Sequence, residues 1–266
     1  MPVMVTGAHV GLGASVIEHL RPTGGELRAF VDATVATEDD AARLRAAGCK
    51  VAVGEFDDEG HLEATLEQVH PVVHCRTGPL HEPDDQVEVA ATLSSALLGA
   101  GVRRLIWVCD LADGGGHAYA AAIAQIRELF EELPLETVML ATALRYGEGD
   151  PFTQRLRAGW LSGAALDVHA VHSPVHLDDV VRAVAVADRR RGSRRELHLQ
   201  LALIGPERYT LEQFLQRLGA PPLDGSRPPD VPPPPPWLLE WLSNPVHAGT
   251  VVAASVAHGA ERLPHA

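Results

Sequence analysis

The sequence predicts an α/β protein: a parallel sheet wound by helices on both faces, followed by a smaller C-terminal region. Apolar strand-like runs alternate with helix-period stretches over the first two-thirds of the chain, which is the signature of successive βαβ units. A glycine-rich turn, Gly7 to Gly13, stands where the first strand passes into the first helix. With 266 residues, 46% hydrophobic and 21% charged, the chain has an ordinary soluble composition and length enough for a sizeable core.

The elements follow in order. Residues 3–6 open as a strand, helical spacing runs over 14–20, and a second strand follows at 27–31. A helix is expected over 39–47, a strand over 50–53, a short helix over 61–68 and a strand over 72–75. The long helical stretch 87–99 leads to 105–109, the most strand-like segment of the chain. Beyond the glycine loop at 113–116, a second long helix is expected over 118–133 and strand character resumes at 136–140. After Gly147 the pattern loosens: 151–159 reads as helix, 166–171 as extended, 178–188 as helix and 196–203 as a half-buried strand. A short helix over 210–218 takes Thr210 as its cap. Residues 228–236 hold seven prolines and read as a polyproline II strap. Trp237, Leu238, Trp241 and Leu242 form an amphipathic turn expected to dock, with a partner-binding helix as the alternative. The expected division is 1–150 for the sheet domain, 151–220 for a small substrate region interleaved with it, 221–236 for the strap and 237–266 for a tail.

A formal net charge of −13 repels phosphate backbones and anionic lipids. The run Arg189, Arg190, Arg191, Arg194, Arg195 reads as a solvated helix end and turn, so no nucleic-acid partner is expected. Cys49, Cys75 and Cys109 are odd in number, lie beside apolar runs and show no metal spacing, which fits reduced cysteines in a cytosolic protein. No apolar run approaches the ~20 residues of a membrane helix, and the first residues enter a strand pattern without a charged leader, so a cytoplasmic protein is expected. Of the 22 basic residues only Lys50 is lysine.

The turn Thr6-Gly7-Ala8-His9-Val10-Gly11-Leu12-Gly13 has the chemistry of a dinucleotide loop. The backbone must bend sharply, meet a pyrophosphate without Cβ atoms in the way and aim helix N–H groups at the anion. Asp32 lies nineteen residues beyond Gly13, at the end of the second strand, where a carboxylate accepts ribose hydroxyls and repels a 2′-phosphate. The expected cofactor is therefore NAD rather than NADP, in a Rossmann-type doubly wound sheet.

The chain resembles the short-chain dehydrogenase/reductase superfamily in its extended or atypical branch, which includes sugar-nucleotide epimerases and dehydratases and the NmrA-like proteins. The opening loop is similar, with Val10 where that branch usually has glycine. Gly54-Glu55-Phe56-Asp57-Asp58 resembles the motif after strand three, and Val72-Val73-His74-Cys75 the run of strand four. Residues 101–108, GVRRLIWV, resemble strand five, and Pro174-Val175-His176-Leu177-Asp178-Asp179-Val180 the branch's later signature. The resemblance spans residues 3–218. It implies a cofactor site on Gly7, Val10, Gly11, Leu12, Gly13, Asp32, Glu55, Phe56, Cys75, Arg76 and Cys109, a small-molecule substrate, and a homodimer seam on the helices near 87–99 and 118–133.

The catalytic pair of that superfamily is absent. A tyrosine there works because a lysine four residues later stabilises its phenolate, and Tyr119 is followed at that spacing by Ile123. The strand-five serine region reads Cys109-Asp110-Leu111, and the Arg-Pro after strand six aligns with Ala141-Thr142, although Tyr146-Gly147 matches. Arg76 stands where small residues admit the nicotinamide half, able either to contact the pyrophosphate or to obstruct. His117 is the candidate replacement acid, with Tyr119 or Asp110 assisting. His169, His172 and His176 have ligand-like spacing, but an extended segment sends odd offsets to opposite faces, and no metal site is expected. The leading expectation is an NAD-dependent oxidoreductase or epimerase-like enzyme moving a hydride without the Tyr–Lys pair. The alternatives are a non-catalytic dinucleotide-binding sensor of NmrA-like type and a scaffold that has lost the cofactor.

Overall fold

The computed structural model describes residues 2–112, 118–189, 197–223 and 225–244. The first half runs β1 (Val3–Thr6), α1 (Gly11–Leu20), β2 (Leu27–Asp32), α2 (Glu38–Ala46), β3 (Lys50–Gly54), α3 (Glu59–Leu66) and β4 (Pro71–His74). It continues through α4 (Pro83–Gly99), β5 (Arg104–Asp110), α5 (Ala118–Glu131), β6 (Glu136–Thr142) and β7 (Arg145–Tyr146). The remainder is α6 (Pro151–Arg157), β8 (Val171–His172), β9 (Val175–His176), α7 (Leu177–Arg189), β10 (His198–Leu203), β11 (Tyr209–Thr210), α8 (Leu211–Leu218) and α9 (Pro236–Ser243).

Seven strands form one sheet in the order β10-β6-β5-β4-β1-β2-β3, every pairing parallel. Strand side chains alternate between its two faces, and the core follows that period of two. On β5, Leu105, Trp107 and Cys109 join the core beneath α3, α4 and α5, while Ile106 and Val108 join the core beneath α1 and α7. All seven residues of β5 are buried, which explains why it is the plainest strand in the sequence. Local chemistry sets the helix starts: Thr37 and Asp40 make a reciprocal capping box on α2, and Thr210 and Gln213 make one on α8.

Residues 196–203 alternate as expected, and their partner is β6, so β10 is the seventh strand of the main sheet. Residues 166–171 differ from the expectation. Only Val171–His172 is extended; the Asp167 carboxylate accepts from the His169 N–H at 2.9 Å and Ala170 N–H donates to the Asp167 carbonyl, which folds the segment into a turn. The small C-terminal region pairs β11 with β8 and β7 with β9 and packs α6 against α8. The proline strap is pinned where Trp160 Nε1 donates to the Pro232 carbonyl at 2.9 Å. It delivers α9 onto α5, with Leu238 and Leu242 fully buried.

The chain passes from β1 through β2 to β3, then returns to the other side of β1 as β4. That reversal opens a crevice at the carboxyl ends of β1 and β4, the place where ligands bind in sheets of this kind. The loops that follow β1, β2, β4, β5 and β6 converge there.

Candidate functional site

The crevice has two halves, one served by β1–β3 and one by β4–β6. In the first, Gly7 has φ +66°, and a Cβ there would stand 3.0 Å from Arg76 N, so the loop after β1 lies directly against the end of β4. A Cβ on Gly13 would sit 2.2 Å from the Gly7 carbonyl oxygen, which makes glycine obligatory for the first turn of α1 to rest on the loop. Val10, at the position expected for glycine, adopts φ −150° and ψ 159°, an ordinary extended conformation, and the left-handed residue is its neighbour Gly11 at φ +55°. The departure from the glycine pattern is absorbed one residue along. Pro151 packs 2.9 Å from where a Gly11 Cβ would be, occupying the space a side chain would take. No side chain caps α1, so its first N–H groups stay available to an anion.

Asp32 ends β2 and is 2% exposed. Its Oδ1 accepts from Thr34 N–H at 3.0 Å and from the Thr34 hydroxyl at 2.6 Å, and its Oδ2 accepts from Arg76 Nε at 2.8 Å. Burial pushes the carboxyl's pKa up, but the Thr34 and Arg76 hydrogen bonds outweigh it and hold the group below its ordinary value. Arg76, 9% exposed, also brings Nη1 to 3.1 Å from Asp85 Oδ2 and lays its guanidinium over the Phe56 ring at 5.1 Å. The Arg76 guanidinium is thus engaged by Asp32 and Asp85. Beside this pair lies a cavity of about 200 Å³ whose walls include Asp32, Glu55, Phe56, Arg76, Glu88 and Thr92. Glu55 and Phe56 thus lie on the wall of the cavity beside Asp32. Cys75 and Cys109 do not offer side chains to the crevice: both thiols are in the cores, and burial pushes Cys75 up to about 12 and Cys109 well above its ordinary value. Leu12 is likewise core, 6% exposed, so only its backbone serves the loop.

In the second half the described side chains engage one another. Asp110, at the end of β5, is 1% exposed and accepts from the Tyr119 hydroxyl at 2.5 Å. Arg145 Nη2 stands 3.1 Å from the other Asp110 oxygen, and the Thr142 hydroxyl donates to it at 3.4 Å. The same guanidinium nitrogen passes 2.5 Å from where a Cβ on Gly78 would stand, so that glycine makes room for it. Tyr119 is fully buried; Trp237 stacks on it at 5.0 Å and Trp241 meets it edge-on at 5.7 Å. Trp241 Nε1 donates to the Leu111 carbonyl and Trp237 Nε1 to Glu82, each at 3.0 Å, which ties α9 across the ends of β4 and β5. Burial, followed by the Asp110 charge, drives the Tyr119 pKa well above its ordinary value, the reverse of what a proton-transferring tyrosine needs. Burial raises the Asp110 pKa against the pull of Arg145 and Tyr119. His117 lies outside the described residues, as does most of the arginine run.

These residues fit one half of a nicotinamide dinucleotide. The uncapped α1, the glycine loop and the cavity beside Asp32 have the geometry to receive an adenosine and its phosphates, whereas among the described residues the ends of β5 and β6 hold Arg145, Asp110 and the α9 tryptophans, engaged with one another and with Tyr119. Of the three histidines with ligand-like spacing, His172 hydrogen-bonds the Leu242 carbonyl at 2.9 Å and His176 Nδ1 lies 3.5 Å from Asp178. Among the described residues no group of His, Cys, Asp and Glu gathers as a metal site, and no helix is long and apolar enough to cross a membrane.

The NmrA-like family model matches residues 2–140. No curated protein matches the chain in sequence. Among solved structures, the chain is similar to a Thermus thermophilus UDP-glucose 4-epimerase in complex with NAD, with TM-score 0.68, 18% identity, and 90% of this chain and 89% of that one covered. It is similar to a Streptomyces venezuelae dTDP-glucose 4,6-dehydratase with NAD bound, with TM-score 0.65, 19% identity, and coverage of 82% and 80%. A Citrobacter triphenylmethane reductase gives TM-score 0.64 at 20% identity, with coverage of 81% and 74%. At these identities the likeness is one of fold.

Proposed function

We propose that this chain, which belongs to the NmrA-like family, binds NAD(H) through its adenosine half and transfers no hydride. The observation that carries the reading is Tyr119: its hydroxyl is committed to Asp110 and its ring is sealed under Trp237 and Trp241. Nicotinamide dinucleotides supply hydride chemistry when the ring meets a polarised acceptor. Here the acceptor's place is taken by α9, and the only lysine, Lys50, is paired with Glu26 on the far edge of the sheet.

The work of the chain's own residues is binding. The N–H groups at the start of α1 receive phosphate, Asp32 accepts from the ribose, and Phe56 and Val89 wall the base. The solved structures similar in fold that hold NAD support the choice of cofactor. The output is a bound state read by another protein, and it reports occupancy rather than redox state, because the described residues at the ends of β5 and β6 are engaged with one another. A cofactor-free scaffold is the second reading, favoured by the prior engagement of Asp32 with Arg76. Calorimetric titration of the full chain, freed of nucleotide, separates them. The proposal expects micromolar binding of NAD⁺ and NADH with equal affinity; heat from neither would leave the scaffold.

A further inference from the structure

We propose that Arg76 is a latent 2′-phosphate-binding residue, held off by Asp32, and that this ion pair sets the dinucleotide preference of the chain. The inference rests on the adenosine-half reading above. A carboxylate has about four lone-pair sites. Asp32 spends two on Thr34 and one on Arg76, which leaves one for a ribose that offers two hydroxyls. Ribose recognition by Asp32 is therefore shared with, and limited by, the guanidinium.

Arg76 is built to persist when that partner is lost. Its plane rests on Phe56, which is 4% exposed, and its terminal nitrogens retain Asp85, a group still half open to solvent. Arg76 lines the cavity, and a planar guanidinium matches a phosphate monoester bidentately. Glu55, Asp57, Asp85 and Glu88 line the same cavity, so with Asp32 ionised the field there disfavours a phosphate, and Arg76 is its one cation among the described residues. Neutralising Asp32 removes the nearest anion and releases Arg76 Nε, while Asp85 keeps the terminal nitrogens.

The test uses the full chain as wild type, Asp32→Asn, and Asp32→Asn/Arg76→Ala, titrated calorimetrically with NAD⁺, NADP⁺, AMP and adenosine 2′,5′-bisphosphate. Asparagine keeps the shape of the carboxylate, and the double variant removes both charges, so neither leaves a buried ion unpaired. Urea unfolding of each confirms a folded protein before titration. The wild type is expected to prefer NAD⁺, and Asp32→Asn to shift the NADP⁺/NAD⁺ affinity ratio by about tenfold or more toward NADP⁺. The bisphosphate should gain over AMP in parallel, and the double variant should lose both gains. An equal gain in the single and double variants would overturn the role of Arg76 while leaving dinucleotide binding intact. Absence of wild-type binding to all four ligands would overturn the adenosine-half reading and this inference with it.

Discussion

Tyr119→Phe is the substitution that separates a structural tyrosine from a catalytic one. It deletes one hydroxyl and leaves the ring between Trp237 and Trp241, so no cavity opens and the stacking persists. What is lost is a 2.5 Å hydrogen bond to a carboxylate that is 1% exposed. Hydrogen bonds to charged groups contribute about 1.5–3 kcal/mol. Asp110 keeps Arg145 at 3.1 Å and Thr142 at 3.4 Å, so it is not stranded, and the lower half of that range applies, about 2 kcal/mol. For a protein of this size that is a fall in Tm of about 4–8 °C. Urea unfolding at pH 7.5 followed by tryptophan fluorescence reads it directly, since two of the reporters touch the ring. Unchanged stability would refute the structural assignment. Unchanged stability together with loss of NAD-dependent turnover would make Tyr119 a catalytic residue.

Two further outcomes follow from the same contacts. Trp241→Ala removes a side chain 6% exposed that caps the Leu111 carbonyl and edges onto Tyr119, and it should cost about 3–5 kcal/mol in urea unfolding while exposing apolar surface to a dye such as ANS. His74, hydrogen-bonded to Thr6 at 2.7 Å, is pushed down to about 3 by burial and by the charges of Arg76 and His81. The folded chain therefore keeps it neutral while the unfolded chain takes up a proton below 6.5, so stability is present above that pH and drains as pH falls toward 3. Each pH step below 6.5 removes about 1.4 kcal/mol, or about 2 kcal/mol by pH 5. His74→Gln should flatten that limb of the stability profile, and an unchanged slope would place the acid sensitivity elsewhere.

What the sequence made legible was local. β1 and the 105–109 run of β5 read as strands because their residues are apolar or β-branched, and Thr210 read as a cap because capping needs only its own turn. Gly7, Gly13 and Asp32 were readable because their roles depend on backbone geometry at fixed offsets. The decisive contacts of the site were not. Arg76 meets Asp32 across 44 residues of sequence, and nothing in either neighbourhood announces the pairing. Trp241 reaches Leu111 across 130 residues, so the sealing of Tyr119 is a property of where the proline strap ends. The strap and its amphipathic turn were visible, but the surface receiving them was not. Val10 looked like damage to the loop because the pattern counts glycines by position, whereas the left-handed residues of the loop are Gly7 and Gly11 and Val10 is extended. Residues 166–170 misread as extended because the Asp167 side chain closes a turn that apolar periodicity does not register.

The central claim is that the chain grips the adenosine half of a dinucleotide and leaves the nicotinamide half unheld. Comparing NAD⁺ with ADP-ribose by calorimetry on the same preparation tests it most directly. If the second half of the crevice belongs to Arg145, Asp110 and α9, the two ligands bind within about threefold of each other. NAD⁺ binding about tenfold or more tightly than ADP-ribose would mean that the nicotinamide is held, and the account would be wrong.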